Sequence, residues 1–386
     1  MKRDKNAPNV PTLRFAEYTD EWHKHALSDF VTRIKRRNKS NESSLPLTIS
    51  AQYGLVDQIT FFNKTVASVD LSGYYLLYNG DFAYNKSYSN DYAWGAVKRL
   101  DKYEKGCLSS LYFVFRPTDK VDSDYLTHYF ETSKWHKGIS DIAGEGARNH
   151  GLLNMAVDDY FATKHYLPSL SEQKKIACFL NLITKRIEIQ NKIISKYETL
   201  IKGIRERVVS GSWQWKKLDE LIQEGVVRLN RGNIIPKHQK DNTYKYPVYS
   251  SSTQNNGLMG YNNTYMFDKE LITWSIDGGG NFFYRKKHKF NVTNVCGIMQ
   301  VDENVYSYRF IAEMLTYQHS KMKFDYQSKA HPSVISSLYS LPCLPILEQN
   351  SYCQLFVALD RKMQIEQYGL NKLKEQKKYL LSKMFI

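Results

Sequence analysis

The sequence predicts an α+β chain built as a pseudo-two-fold repeat: two globular domains separated by two long α-helices that pair as an antiparallel coiled coil. Three observations carry this reading. The stretch LPSLSEQKKI at Leu167–Ile176 returns as LPILEQNSYC at Leu344–Cys353, a proline and a Glu-Gln pair opening a long apolar stripe each time. The interval from Trp22 to Leu27 recurs from Trp213 to Leu218. The 386 residues exceed one ordinary domain and suit two. The expected division is a first globular domain over 1–170, a helix over 171–210, a second domain over 211–343 and a second helix over 344–386.

The helices follow from periodicity. The first stripe runs Ile176, Leu180, Ile183, Ile187, Gln190, Ile194 and Tyr197, and continues through Ile201, Ile204 and Val208. The second runs Tyr352, Phe356, Leu359, Met363, Glu366, Leu370 and Leu373, and continues through Lys377, Leu380 and Met384. Alternating steps of four and three make a heptad seam, and no proline interrupts either run. Each helix is expected to span about 35–40 residues, or about 55–60 Å at ~1.5 Å per residue. A stripe so long and narrow calls for a matching helix, and the other copy is the obvious partner. Gln190 and Glu366 hold equivalent positions near the middle, where a polar residue fixes register. The chain stops close to where a third unit would begin, as two full copies would.

The globular segments share an order of elements but little local identity. In the first, Tyr74–Tyr88 reads as strand, turn and strand, and KGCLSSLYFVFRP as a β-prone run closed by Pro117. DSDYLTHYF has helical spacing behind an acidic start, and Gly144–Gly151 is a glycine-punctuated loop tipped by Arg148, Asn149 and His150. In the second, KELITWSIDGGGNFFYRKKHKF reads as strand, glycine-rich turn and basic strand, VCGIMQVD as a strand, and YRFIAEMLTYQHS as a helix. The QSKAHPSV loop, with Lys329 and His331, takes the place of the Arg148 loop. One scaffold holding two different polar surfaces is the simplest account.

The formal charge of +15 makes a polyanion, most often nucleic acid, the first partner to consider. Cys107, Cys178, Cys296, Cys343 and Cys353 form no Cys-x-x-Cys pair, and their odd number suggests neither a disulfide framework nor a zinc site. No stretch is apolar enough to span a membrane and the N-terminus has no signal-peptide core, so a cytoplasmic location is expected and no membrane partner. The sequence has no P-loop, no Gly-x-Ser-x-Gly elbow and no His-Glu-x-x-His pair. It also lacks the Asn/Asp-Pro-Pro-Tyr tetrapeptide of amino-methyltransferases. GGGN at Gly278–Asn281 is a turn, not a dinucleotide loop, and His23 and His25 have nothing nearby to complete a metal site. A binding protein is expected, not an enzyme, with no cofactor or metal of its own.

The whole pattern resembles the specificity subunit of type I restriction-modification enzymes, on the doubled Pro-x-Leu-x-Glu-Gln opening (Pro168–Gln173, and one residue shorter at Pro345–Gln349), the two Trp-to-Leu intervals and the repeat itself. The second helix departs from the pattern in its LPILEQ start, nearby Pro342 and Lys377 in its seam. The resemblance implies two target recognition domains, each reading half of a bipartite DNA sequence, on a spacer of two helices. It implies two modification subunits carrying S-adenosylmethionine chemistry, and restriction subunits using ATP and Mg. Base and phosphate contacts need polar loop residues. In the first domain the candidates are Tyr84, Asn85, Lys86, Arg148, Asn149 and His150. In the second they are Ser251, Ser252, Thr253, Gln254, Arg285, Lys286, Lys287, Lys329 and His331. Two alternatives stay open: a specificity subunit whose partner fuses methylase and nuclease, and a coiled-coil scaffold that binds no DNA.

Overall fold

The computed structural model describes residues 9–64, 67–89, 92–144, 151–235, 244–252, 254–277, 279–322 and 329–386. Contacts divide the chain into two compact units, Met1–Gln190 with Gly369–Ile386, and Asn191–Tyr368. The division falls inside both long helices. Each is shared, because its two halves bury their seams in different cores.

In the first unit, β1 (His23–Ala26), β2 (Val31–Arg33), β3 (Leu47–Ser50) and β4 (Gly54–Asp57) precede a short α1 (Gln58–Phe62). β5 (Tyr75–Tyr78), β6 (Phe82–Asn85), β7 (Ala96–Arg99), β8 (Lys105–Leu108) and β9 (Phe113–Pro117) follow. Then come α2 (Ser123–Phe130), α3 (His136–Ile142), α4 (Val157–Ala162), β10 (Lys164–Leu167) and the start of α5 (Leu170–Val209). The main sheet has the order β2-β9-β6-β7, all antiparallel. The expected strand–turn–strand at Tyr74–Tyr88 is present, yet it is no hairpin. Its turn carries the chain from one ladder to another, β5 pairing with β8 while β6 pairs with β7 and β9. Aromatic rings fill the core: Phe82 stacks on Phe115 and Tyr84 on Tyr160, with centroids 5.5 and 4.7 Å apart.

In the second unit, β11 (Trp215–Lys217), α6 (Leu218–Gln223), β12 (Val227–Arg231), β13 (Tyr246–Tyr249) and β14 (Leu258–Asn262) come first. β15 (Phe267–Ser275), β16 (Phe282–Val292), β17 (Cys296–Val301), α7 (Tyr308–Lys321), α8 (Pro332–Leu338), β18 (Ser340–Pro342) and α9 (Ile346–Lys383) complete it. One sheet has the order β12-β17-β15-β16-β13-β14. Its single parallel pairing, among the described residues, joins β13 to β16. Trp274, Phe290, Met299 and Phe310 lie wholly inside the core between this sheet and α7.

The repeat is visible in how each unit closes. β1 pairs antiparallel with β10, the strand just before α5, and β11 pairs in the same way with β18, the strand just before α9. The amide of Leu27 donates to the Thr163 carbonyl at 2.9 Å, and that of Leu218 to the Tyr339 carbonyl at 3.0 Å. Both leucines are fully buried.

The Glu-Gln pairs explain themselves next. The Gln173 amide donates to the Pro168 carbonyl at 3.0 Å and accepts from the Asp122 amide at 2.8 Å. The Gln349 amide donates to the carbonyls of Leu344 and Val305 at 2.8 and 2.9 Å and accepts from the Ser307 amide at 3.0 Å. Asp122 and Ser307 are the N-caps of α2 and α7. Each glutamine thus clasps the start of a long helix to the start of an earlier domain helix, α2 or α7. The task needs a donor and an acceptor on one buried side chain, which glutamine has and ionised glutamate lacks. Glu172 does something different: fully buried, it holds Arg14 through Nε and a terminal nitrogen, both at 2.7 Å.

Candidate nucleic-acid interface

The helix seams order the surfaces around them. Ile176, Leu180, Ile183, Phe356 and Leu370 are buried, and Ile187, Gln190, Ile194, Tyr197, Tyr352, Leu359, Met363, Glu366 and Leu373 are half-buried. In the first unit, Ile176, Leu180 and Ile183 share a core with Leu380, Met384 and Phe385 from the end of α9. In the second, Val208 from the end of α5 shares a core with Leu344, Tyr352 and Cys353 around the start of α9. Charge adds direction. In the first unit α2 is bound to both helices: His128 Nε2 meets Asn181 at 2.8 Å and Glu131 pairs with Lys377 at 2.8 Å. In the second, Arg205 of α5 donates to Glu313 of α7 at 2.7 Å, and Arg309 of α7 pairs with Asp360 of α9 at 2.8 Å.

The polar candidates divide sharply. Tyr84 is a correction. Its ring is fully buried between Tyr160 and Trp135, and its hydroxyl donates to the Trp94 carbonyl at 2.9 Å, so neither face nor hydroxyl is left for a base. Tyr84 packs into the aromatic core, while Asn85 closes β6 at its half-exposed end. Asn85 and Lys86 are half-exposed at the end of that strand, with the Lys86 ammonium 4.8 Å from the Phe113 ring centroid. The Lys86 carbonyl accepts from the Leu153 amide at 3.0 Å, which places this strand end against the chain that follows residue 150. Arg148, Asn149, His150 and Thr253 lie outside the described residues.

In the second unit the fold gathers distant candidates around the end of β15. Ser275 Oγ donates to the Ser251 carbonyl at 2.6 Å, Asp277 pairs with Lys329 at 3.3 Å, and the Ala330 amide donates to the Ile276 carbonyl at 2.9 Å. Ser251, Ser252, Gln254, Lys329 and His331 therefore belong to neighbouring loops. His331 is half-exposed and also caps α8, whose first residue is Pro332. Lys286 and Lys287 project from β16 into solvent.

Arg285 corrects the expectation of a surface cation. It is only 4% exposed. Its guanidinium lies 3.6 Å from the Tyr249 ring centroid and Nε donates to Thr273 Oγ1 at 2.9 Å, while one terminal nitrogen has no hydrogen-bond partner. Gly257 stands against it: a Cβ there, at φ +78°, would lie 3.3 Å from that nitrogen. Burial lowers its pKa to about 10, so the group stays charged at neutral pH.

A basic cluster escaped the sequence reading. Asp81, fully buried, accepts from Arg36 at 2.8 Å, Arg116 at 2.6 Å and the Tyr78 amide at 2.7 Å. Arg36 and Arg37 lie over the Tyr78 and Tyr75 rings at 4.2 and 3.9 Å. One buried carboxylate and two rings thus fix an arginine-rich patch on the first unit. The run RIKRR at Arg33–Arg37 was the signal available; its buried counter-charge was not. Among the described residues, no His, Cys, Asp or Glu group could hold a metal ion, and no helix is long and apolar enough to cross a membrane.

Residues 211–375 match the family described as the type I restriction modification DNA specificity domain. Over these residues the chain is similar to that family. A Mycoplasma pneumoniae relative named type I specificity subunit S.MpnORF285P is 39% identical over 100 residues, which is 25% of this chain. The chain spans only 32% of that relative's own length. The S subunit of a type I system from M. genitalium has the same fold at 17% identity, with a TM-score of 0.62 over 98% of this chain and 99% of that one. A chain from a structure of type I complex assembly and conformational transition matches at 15% identity, with a TM-score of 0.53 over 94% and 97%. The specificity-subunit fold, with mixed helix and strand, thus covers nearly the whole chain.

Proposed function

We propose that this chain is the DNA-sequence-specificity subunit of a type I restriction-modification complex. It binds a bipartite, asymmetric DNA target, one half-site per unit, and directs methylation and cleavage by partner subunits without catalysing either. The observation that carries the reading is the contrast within the repeat. The clasps of Gln173 and Gln349 and the closing strand pairs are shared, while the polar loops around Lys86 and around Ser251 and Lys329 differ. A conserved frame with divergent loops suits two readers of unlike sequences.

In this reading α5 and α9 form the antiparallel coiled-coil spacer, supported by the start of α5 sharing a core with the end of α9. Apolar residues exposed on them, among them Leu182, Ile189, Ile365 and Tyr368, offer surface to two modification subunits. Restriction subunits join that assembly. S-adenosylmethionine, ATP and Mg belong to those partners.

Methylome sequencing of cells expressing the chain with its modification subunit tests the proposal. A single bipartite motif is expected, and replacement of one unit's loops should change one half only. A scaffold that binds no DNA would leave the genome unmethylated, and its duplex affinity would lack a steep salt slope.

A further inference from the structure

A groove of about 660 Å³ opens in the first unit where α2, α3 and the end of β7 face the last turns of α9. Its floor is apolar, with Trp135, Ile187 and Leu381. Its walls carry Lys98, Lys134, Lys374, Lys377 and Lys378 against, among the described residues, one carboxylate, Glu131. That carboxylate is already engaged, by Lys377 at 2.8 Å and by His128 at 3.3 Å. Burial would raise its pKa, but these two neighbours hold it down to about 2, so it is ionised and neutralises one lysine. Burial lowers the pKa of Lys98, the mark of an ammonium short of water.

A helix C-terminus attracts cations, but only within its last turn. Lys374 lies more than two turns before the end of α9 at Lys383, so the helix dipole does not account for it. The groove also continues the candidate interface. Gly95, on its rim, stands so close to Asn85 that an added Cβ would meet the Asn85 carbonyl oxygen at 2.1 Å. The groove is thus contiguous with the strand end that presents Asn85 and Lys86.

We propose that this groove takes the phosphate backbone of duplex DNA, so that the end of the second long helix is part of the DNA interface. Lysine is a flexible point charge and suits phosphates, contributing affinity without reading sequence. The inference rests on the specificity-subunit reading and adds residues that no loop of the domain supplies.

The test is the double variant Lys374→Gln/Lys378→Gln of the full chain, purified with its modification subunit. Binding to a labelled 40-bp duplex of random sequence is followed by anisotropy across salt concentrations. Two lost phosphate contacts should shrink the log–log salt slope by about 2, at about 0.9 per contact, with affinity falling about tenfold or more at low salt. Lys374→Arg/Lys378→Arg should restore both, which guards against misfolding. An unchanged slope in the glutamine variant overturns the groove and leaves the specificity reading intact. An equal loss in Lys102→Gln/Lys120→Gln, exposed positions outside the groove, marks a net-charge effect and overturns it too. Retained DNA affinity with loss of the modification subunit assigns the groove to an acidic partner segment, again overturning it. A wild-type complex with no salt-dependent affinity overturns both readings.

Discussion

Arg285 is a buried cation with no ion pair among the described residues, and one of its nitrogens is unsatisfied. Such a group costs stability, and an apolar side chain of similar length is commonly neutral or stabilising there. Arg285→Met should therefore raise stability by about 1 kcal/mol or more, read by urea denaturation, while relaxing discrimination within one half-site of the methylation motif. Lower stability with an unchanged motif would make Arg285 a structural pin. His165 gives a prediction in pH. Tyr129 donates to its Nδ1 at 2.8 Å, and Thr163, whose own hydroxyl proton goes to the Tyr160 carbonyl, accepts from Nε2 at 2.8 Å. The neutral ring is satisfied at both nitrogens, and burial depresses its pKa to about 4. The unfolded chain, with an ordinary histidine pKa of about 6.5, binds that proton first. Stability should be complete above pH 6.5 and fall as pH drops toward 4, by about 3 kcal/mol at the limit. Melting His165→Gln across this range should show a shallower acid loss than the parent; equal losses would remove His165 as the cause. Neither residue's state was legible in sequence. Arg285 sits in a run of basic residues, RKKHK, of which the structure buries one and exposes the next two, beside an irregularity in the β15–β16 ladder.

At the scale of elements, the Glu-Gln pair was legible as a repeat but not as a mechanism. Its glutamine closes hydrogen bonds to residues far back in the chain, and no local pattern announces Asp122 or Ser307 as the other party. Gln349→Leu would leave the Ser307 amide and two carbonyls without their buried partner, and Gln173→Leu would do the same to Asp122 and Pro168. Each should cost about 2–3 kcal/mol, the penalty of stranded buried polar groups, in chemical denaturation. A loss below ~0.5 kcal/mol would mean that water takes over the clasp. Gln190 differs, being half-buried on the seam with Nε2 3.8 Å from where a Cβ on Gly369 would lie. Leucine there should raise stability while loosening the register that the polar position specifies. Unchanged melting in Gln190→Leu would count against a buried seam at that point.

For the whole molecule, the proposed spacer turns helix length into DNA spacing. A heptad inserted in α5 and matched in α9 adds about 10 Å at ~1.5 Å per residue. The unread gap of the methylation motif should widen by up to about three base pairs at ~3.4 Å each. Methylome sequencing reads the outcome, and a motif with its gap unchanged would end the ruler idea.

The sequence by itself determined the repeat, the two long helices and their seams, because periodicity and motif spacing are local properties that a single chain displays. It also carried several strands and helices of both domains, from Lys105–Pro117 to Tyr308–Lys321, through alternation and capping. Tertiary structure alone decided which polar residues face outward and which distant charges meet. Tyr84 and Arg285 went inside, Asp81 gathered Arg36 and Arg116, and the lysines of α9 came to face Lys98 and Lys134. Burial and charge proximity depend on chain segments far apart in sequence, and no window of neighbouring residues contains them.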